Sequence, residues 1–184
     1  AAITLATNTI KDPSNLASVM SNESLRVYIS NDPVGVQLGG SLKNIIAIAA
    51  GISDSMGMGA NARAALITRG AEEMRALGTE MGANEKTFSG LSGIGDLILT
   101  STDNQSRNRQ LGLHIGEGGS LESFREANIS SPEGVHAVNA LVNAGMVNDD
   151  IYPITTRVYK ILFEGLSAKD AAAELMARPL RFEN

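Results

Sequence analysis

The 184-residue sequence predicts a mainly α protein, an all-helical domain preceded by a short β-α-β piece. Three observations carry this prediction. β-branched alternation is confined to the first thirty or so residues. From about Val34 onward apolar residues recur at helical spacing. Glycines and N-capping side chains then cut that periodic stretch into segments of helix length.

Residues 3–6 read as a short strand. Asp12-Pro13-Ser14-Asn15 opens a helix, with Asp12 as N-cap and Pro13 at the first helical position, where a missing N–H costs nothing. Residues 25–29 alternate and read as a second strand. Two strands and one helix cannot bury their own faces, so residues 1–32 are expected to be the end of a larger sheet. Its unpaired edge favours self-association, with a homodimer as one form. The sequence opens directly in this strand-like run without an initiator Met, a pattern that suggests a start inside a larger protein.

Residues 33–184 form the helical domain, with helices expected at 34–53, 61–81, 95–100, 106–116, 132–144, 153–164 and 168–177. Gly51, Gly57, Gly59, Gly82, Gly145 and Gly165 read as turns and C-caps, and Gly118-Gly119 as a weak boundary. Ser167 is placed to cap the last helix. Met56, Met58, Met74 and Met81 read as core filler.

Composition narrows the chemistry. The absence of cysteine excludes disulfide scaffolds, cysteine-ligated zinc, iron–sulfur clusters and thiol nucleophiles. His114 and His136, the two histidines, receive no ligand role, so no metal site is expected. A net charge of −5 and an aromatic content of 4% argue against a nucleic-acid binder. The longest apolar run, 45–52, falls far short of the roughly 20 residues that a bilayer requires, so no integral membrane segment is expected.

Three stretches can carry chemistry. In residues 36–51 Lys43 sits inside a helix that is apolar on nearly every side. An ammonium there is expensive unless something anionic faces it, either a structural carboxylate or a substrate, with Asn44 as a neighbouring donor. Ser106-Arg107-Asn108-Arg109 combines a cap with arginines at a helix start, which suits an oxyanion or serves only as a solvated cap. Gly90-Leu-Ser-Gly-Ile-Gly-Asp96 demands tight backbone geometry, with Asp96 read as capping the apolar run after it.

Taken in order, residues 39–51, 61–70, Gly93-Ile-Gly-Asp-Leu97, Ser106-Arg-Asn-Arg109 and Pro132-Glu-Gly-Val135 resemble the bacterial NAD(P)-dependent glycerol-3-phosphate dehydrogenase family over nearly the whole chain. The resemblance implies a Rossmann cofactor domain followed by a helical substrate domain. Residues 1–32 match the end of the former and 33–184 the latter. It implies reduction of dihydroxyacetone phosphate to sn-glycerol 3-phosphate with NAD(P)H, in the cytoplasm, supplying glycerophospholipid synthesis. Lys43 matches the residue that donates and accepts the proton. Asp96, Ser106, Arg107 and Asn108 match substrate contacts, with Asn44 and Thr100 ranked second. Arg107, Glu133 and Ser131 match cofactor contacts. The cofactor itself is expected to bind mainly outside this chain, because no G-x-G-x-x-G follows a strand here, and the isolated chain is expected to be inactive.

The sequence departs from the family at Gln37, where Glu is usual, at Ser55, where Gly is usual, at His136, where Arg is common, and at Ser131-Pro132. The last two lie next to the implied cofactor contact and bear on nucleotide preference. Two other readings compete. One is the helical domain of a related dehydrogenase acting on another small phosphate or acid. The other is a non-catalytic helical binding module, which would have no use for a lysine inside an apolar helix.

Overall fold

The computed structural model describes residues 1–127 and 131–179. Strands β1 (Ala2–Ala6) and β2 (Arg26–Ser30) pair in parallel, with Ala2 opposite Arg26 and Ala6 opposite Ser30, and α1 (Pro13–Met20) connects them. The Asp12 carboxylate accepts from the backbone N–H groups of Ser14 and Asn15 at 3.2 and 3.3 Å, as its position ahead of a proline predicts. Ile3, Val19, Tyr28 and Ile29 of this unit stay at least 40% exposed, so the sheet leaves apolar surface uncovered.

The helical region is organised around α2 (Pro33–Ser55), which packs against α3 (Gly59–Glu80), α4 (Asp96–Thr102), α5 (Arg107–Gly116), α7 (Glu133–Asn143) and α8 (Pro153–Phe163). The outer elements are α6 (Leu121–Ala127) and α9 (Ala168–Met176). Ile45, Ile46 and Ile48 of α2 are essentially inaccessible and share one core with Leu97, Leu111, Val135, Val138 and Val158. This encirclement explains why α2 is apolar on nearly every side. Among the described residues α2 is also long and apolar enough to cross a membrane by length and composition. The sequence reading missed this by counting only the uninterrupted run 45–52; 61% of the apolar window is buried inside the fold.

Helix boundaries agree with expectation to within two residues, and Ser167 caps α9 by accepting from Asp170 N–H at 3.0 Å. Several expectations are corrected. Helix α2 starts at Pro33 with Asp32 as its cap, repeating the Asp-Pro start of α1. Helix α6 was not expected; Ser120 and Ser123 build a reciprocal cap for it, each hydroxyl accepting from the other's backbone N–H at 3.0–3.1 Å. Met58 and Met81 are more than a third exposed and fill no core, whereas Met74 is buried. Gly57, Gly82, Gly145 and Gly165 do close helices with positive φ, but Gly51 lies inside α2 and caps nothing.

Gly51 instead permits a helix crossing. A Cβ there would stand 2.3 Å from the Arg109 carbonyl oxygen, and one on Gly112 would stand 2.1 Å from that of Ile48. The contacts advance in the same direction along both chains, Ile48 to Gly112 and Ile52 to Gly116, so α2 and α5 run parallel with backbones touching. This contact carries the start of α5 to the middle of α2.

Candidate functional site

Lys43 lies in the middle of α2 and projects toward the start of α4. Its Nζ donates to Asp96 Oδ2 at 2.5 Å, with the two side chains 18% and 34% exposed. Asp96 is brought there by an unusual approach. A 3₁₀ turn (Glu85–Ser89) runs into a π-helical turn (Leu91–Gly95), and Asp96 is the first residue of α4. The π turn lies flat on α2, because a Cβ on Gly39 would stand 2.3 Å from the Ser92 carbonyl oxygen. Asp32 anchors the preceding turn, its Oδ2 accepting from Thr87 Oγ1 at 2.6 Å and Asn84 N–H at 2.9 Å. Burial pushes the Asp32 carboxyl up, but the bonds from Thr87, Gly35 and Asn84 outweigh it and hold the group below its ordinary value. Asp96 caps no helix end; its carboxylate serves Lys43, and Thr100 Oγ1, one turn on, stands 3.5 Å from Oδ1.

Asn44, the next residue of α2, is 3% exposed, and its amide donates to Gly40 O and to Glu133 Oε2, both at 3.1 Å. Asn108, 7% exposed on the first turn of α5, accepts from Gly134 N–H at 2.8 Å. Ser106 caps α5 through Arg109 N–H at 3.3 Å. The structure therefore joins Lys43, Asn44, Asp96, Thr100, Asn108 and Glu133 in one neighbourhood where α2, α4, α5 and α7 meet. Arg107 stands exposed on the first turn of α5. Ser131 accepts from Arg125 Nε at 2.7 Å, a contact with α6 rather than with these groups.

The sequence reading offered solvated arginines as the plain alternative for 106–109, and Arg109 contradicts it. This side chain is buried, pairs with Asp54 Oδ2 at 2.5 Å, and binds Asn104 Oδ1 at 3.0 Å and Ser101 O at 3.2 Å. It fastens the 103–106 connection to α2 and so holds the start of α5 in place. A further buried group has no local sign in the sequence. Glu73 of α3 is 6% exposed and accepts from Ile154 N–H, Thr155 N–H and Thr155 Oγ1 at 2.7, 3.0 and 2.7 Å, capping α8 from another helix. Burial pushes its carboxyl above the ordinary value despite those bonds. One of two adjacent glutamates within a helical pattern carries no local sign of either role. His114 Nε2 lies 2.7 Å from Ser123 Oγ and His136 is exposed; among the described residues no cluster of three His, Asp or Glu side chains could hold a metal ion.

The site thus offers an ammonium held by a carboxylate, an exposed guanidinium on a helix start and an exposed carboxylate on another. That set suits a small anionic substrate whose reacting oxygen gains or loses a proton. Comparison with known proteins identifies the family. Residues 32–173 match the family model described as NAD-dependent glycerol-3-phosphate dehydrogenase C-terminus. The chain is 47% identical over 183 residues to glycerol-3-phosphate dehydrogenase [NAD(P)+] of Haemophilus influenzae, covering 99% of this chain and 55% of that protein. It is 48% identical over 177 residues to the enzyme of the same name from Thioalkalivibrio sulfidiphilus, covering 96% and 53%. The crystal structure of glycerol-3-phosphate dehydrogenase from Coxiella burnetii superposes with a TM-score of 0.87 at 42% identity, over 97% of this chain and 55% of that one. The chain spans about half the length of the curated relatives it matches. With its fold, its ordered motifs and these likenesses in agreement, the chain belongs to the NAD-dependent glycerol-3-phosphate dehydrogenase family and corresponds to the C-terminal part of its members.

Proposed function

We propose that this chain is the substrate-binding part of an enzyme that reduces dihydroxyacetone phosphate to sn-glycerol 3-phosphate with NAD(P)H. The observation that carries the reading is the Lys43–Asp96 pair at 2.5 Å on a helix otherwise enclosed by apolar side chains. Residues 33–184 are the substrate domain and residues 1–32 the end of a cofactor domain, a division supported by the family match beginning at residue 32. The apolar side chains exposed on β1, α1 and β2 suit a unit that continues a sheet or meets a second copy. A cytoplasmic setting fits the small polar substrate.

A nicotinamide cofactor, held in part by Arg107 and Glu133, would supply the hydride for the keto carbon when bound. Within this chain Lys43 holds its ammonium against the negative charge that grows on the carbonyl oxygen and delivers the proton to it. Asp96 keeps that ammonium in place, and Thr100 braces Asp96 from the next turn. Arg107 and the first-turn N–H groups of α5 receive the phosphate, with Ser106 and Asn108 beside them. The chemistry of the exposed side chains also fits the cofactor. Glu133 offers a carboxylate acceptor to hydroxyl or amide donors, and Arg107 a fork for phosphate oxygens. Ser131, bonded by Arg125, directly precedes Pro132, the N-cap of α7. The chain alone is inactive on this reading, since the larger part of the cofactor site lies elsewhere in the full-length enzyme.

The test is Lys43→Ala in the full-length enzyme. General acid and electrostatic contributions of about 10²–10⁴ and 10²–10³ combine to a loss of turnover on the order of 10⁴-fold or more, with the fold intact by circular dichroism. Turnover within tenfold of wild type refutes the role of Lys43.

A further inference from the structure

We propose that Asn44 is a positioning residue that holds Glu133 in place for the cofactor, so that the helix carrying the substrate lysine also sets the cofactor contact. The inference rests on the reading of Glu133 as a cofactor contact and goes beyond it by assigning what fixes that carboxylate. Glu133 is exposed and opens α7, whose N-cap is Pro132 and brings no capping side chain. The next backbone N–H, that of buried Gly134, finds its acceptor in Asn108 of α5 at 2.8 Å. A capping bond that usually comes from within the same helix is here supplied by another. The fit is close. A Cβ on Gly134 would stand 2.8 Å from Asn108 Oδ1 and 2.8 Å from the Asn44 carbonyl oxygen. The first turn of α7 therefore rests directly on α2 and α5.

Consecutive residues of a helix point about 100° apart. Lys43 accordingly meets Asp96 of α4, while Asn44 meets α7. The Asn44 amide has two hydrogens; one goes to Gly40 O within α2 and the other to Glu133 Oε2, each at 3.1 Å. The second bond spans 89 residues and ends on a side chain that is otherwise exposed. An exposed glutamate loses its rotamer freedom only if something holds it, and Asn44, itself 3% exposed, is rigid enough to do so. The Glu133 carboxylate of α7 is thus held by the residue that follows Lys43 on α2. Cofactor and substrate contacts are thereby tied to adjacent residues of a single rigid element.

The experiment uses the full-length enzyme with Asn44→Ala, Glu133→Ala and the double variant. NADH affinity is measured by nucleotide fluorescence and the Michaelis constants for NADH and dihydroxyacetone phosphate are measured separately. Each single change is expected to weaken NADH on the order of tenfold, the weight of one hydrogen bond to a charged group, and to leave the dihydroxyacetone phosphate constant within about threefold. The double variant is expected to be no more than about twofold worse than either single one, because both remove the same link. A double variant about a hundredfold weaker, the product of independent effects, overturns the proposal. So does an Asn44→Ala enzyme that loses substrate affinity alone. If Glu133→Ala leaves NADH affinity unchanged, both this proposal and the cofactor role of Glu133 fall, while the Lys43→Ala result still decides the substrate reading. Gly134→Ala is a further arm that keeps the Asn44 side chain. It pushes α7 off its seat and should weaken NADH to a similar extent; wild-type NADH affinity in that variant also overturns the proposal.

Discussion

Replacing Glu73 with alanine removes a buried acceptor on which the start of α8 depends. Three hydrogen bonds end on this carboxylate, from Ile154 N–H, Thr155 N–H and Thr155 Oγ1. Tyr152, the N-cap of α8, offers no capping side chain, so the two amides have no substitute within their own helix. A dry unpaired donor costs about 1–3 kcal/mol. Glu73 borders a groove of about 710 Å³ between α2, α3, α8 and α9, so water can reach the vacated site and the lower figure applies. Three donors at about 1 kcal/mol each, less the relief of no longer burying a charge, leave a loss of about 2–3 kcal/mol. For a chain of this size that lowers Tm by about 4–12 °C. The pH dependence has a definite sign. Burial holds the Glu73 carboxyl above its ordinary value of 4.5, so the folded state binds the proton more tightly than the unfolded one. The stability it contributes is fully present below pH 4.5 and is lost as pH rises through the folded-state value. The gap in stability between wild type and Glu73→Ala should therefore narrow as pH rises above 4.5. Urea unfolding followed by circular dichroism at several pH values measures both quantities. A loss under 0.5 kcal/mol, or a gap that widens with pH, refutes the reasoning.

Two further predictions concern the site. Gly51→Ala places a Cβ about 1 Å inside ordinary contact with the Arg109 carbonyl oxygen, so α2 and α5 must separate. The expected cost is about 1–3 kcal/mol, with weakened glycerol 3-phosphate binding as the start of α5 moves from Lys43; an unchanged Tm argues against the close crossing. For substrate, glycerol 3-phosphate at 100 times its dissociation constant should stabilise a domain that binds it by about 2.7 kcal/mol, whereas glycerol should not, inorganic phosphate should do so less, and Arg107→Ala should abolish the shift. Thermal unfolding measures this. Absence of a specific shift in both this chain and the full-length enzyme refutes the substrate assignment.

Much of the helical architecture was legible in the sequence because its signals are local. Asp12-Pro13, Ser106 and Ser167 announce helix starts through bonds that reach two or three residues ahead, and the positive-φ glycines announce the ends. Lys43 could be singled out because a charge within an apolar helix is anomalous without reference to any partner. The sequence allowed Lys43 either a structural carboxylate or a substrate; the fold supplies Asp96, from 53 residues away, in a position that leaves both side chains partly open. Asn44 read as a free donor beside Lys43, yet its amide is committed to Gly40 and Glu133. The sequence left 106–109 as either an oxyanion site or a cap with solvated arginines, and Arg109 is neither, being buried on Asp54; Glu73 gives no local sign although it caps α8. Gly51 read as a helix end and is a crossing point. The division has one physical cause. Propensity, capping and turn chemistry act over a few residues and leave their mark in the order of the chain. The partner of a side chain depends on which helix faces are pressed together, and that is settled by burying the apolar surface of α2 on all sides at once.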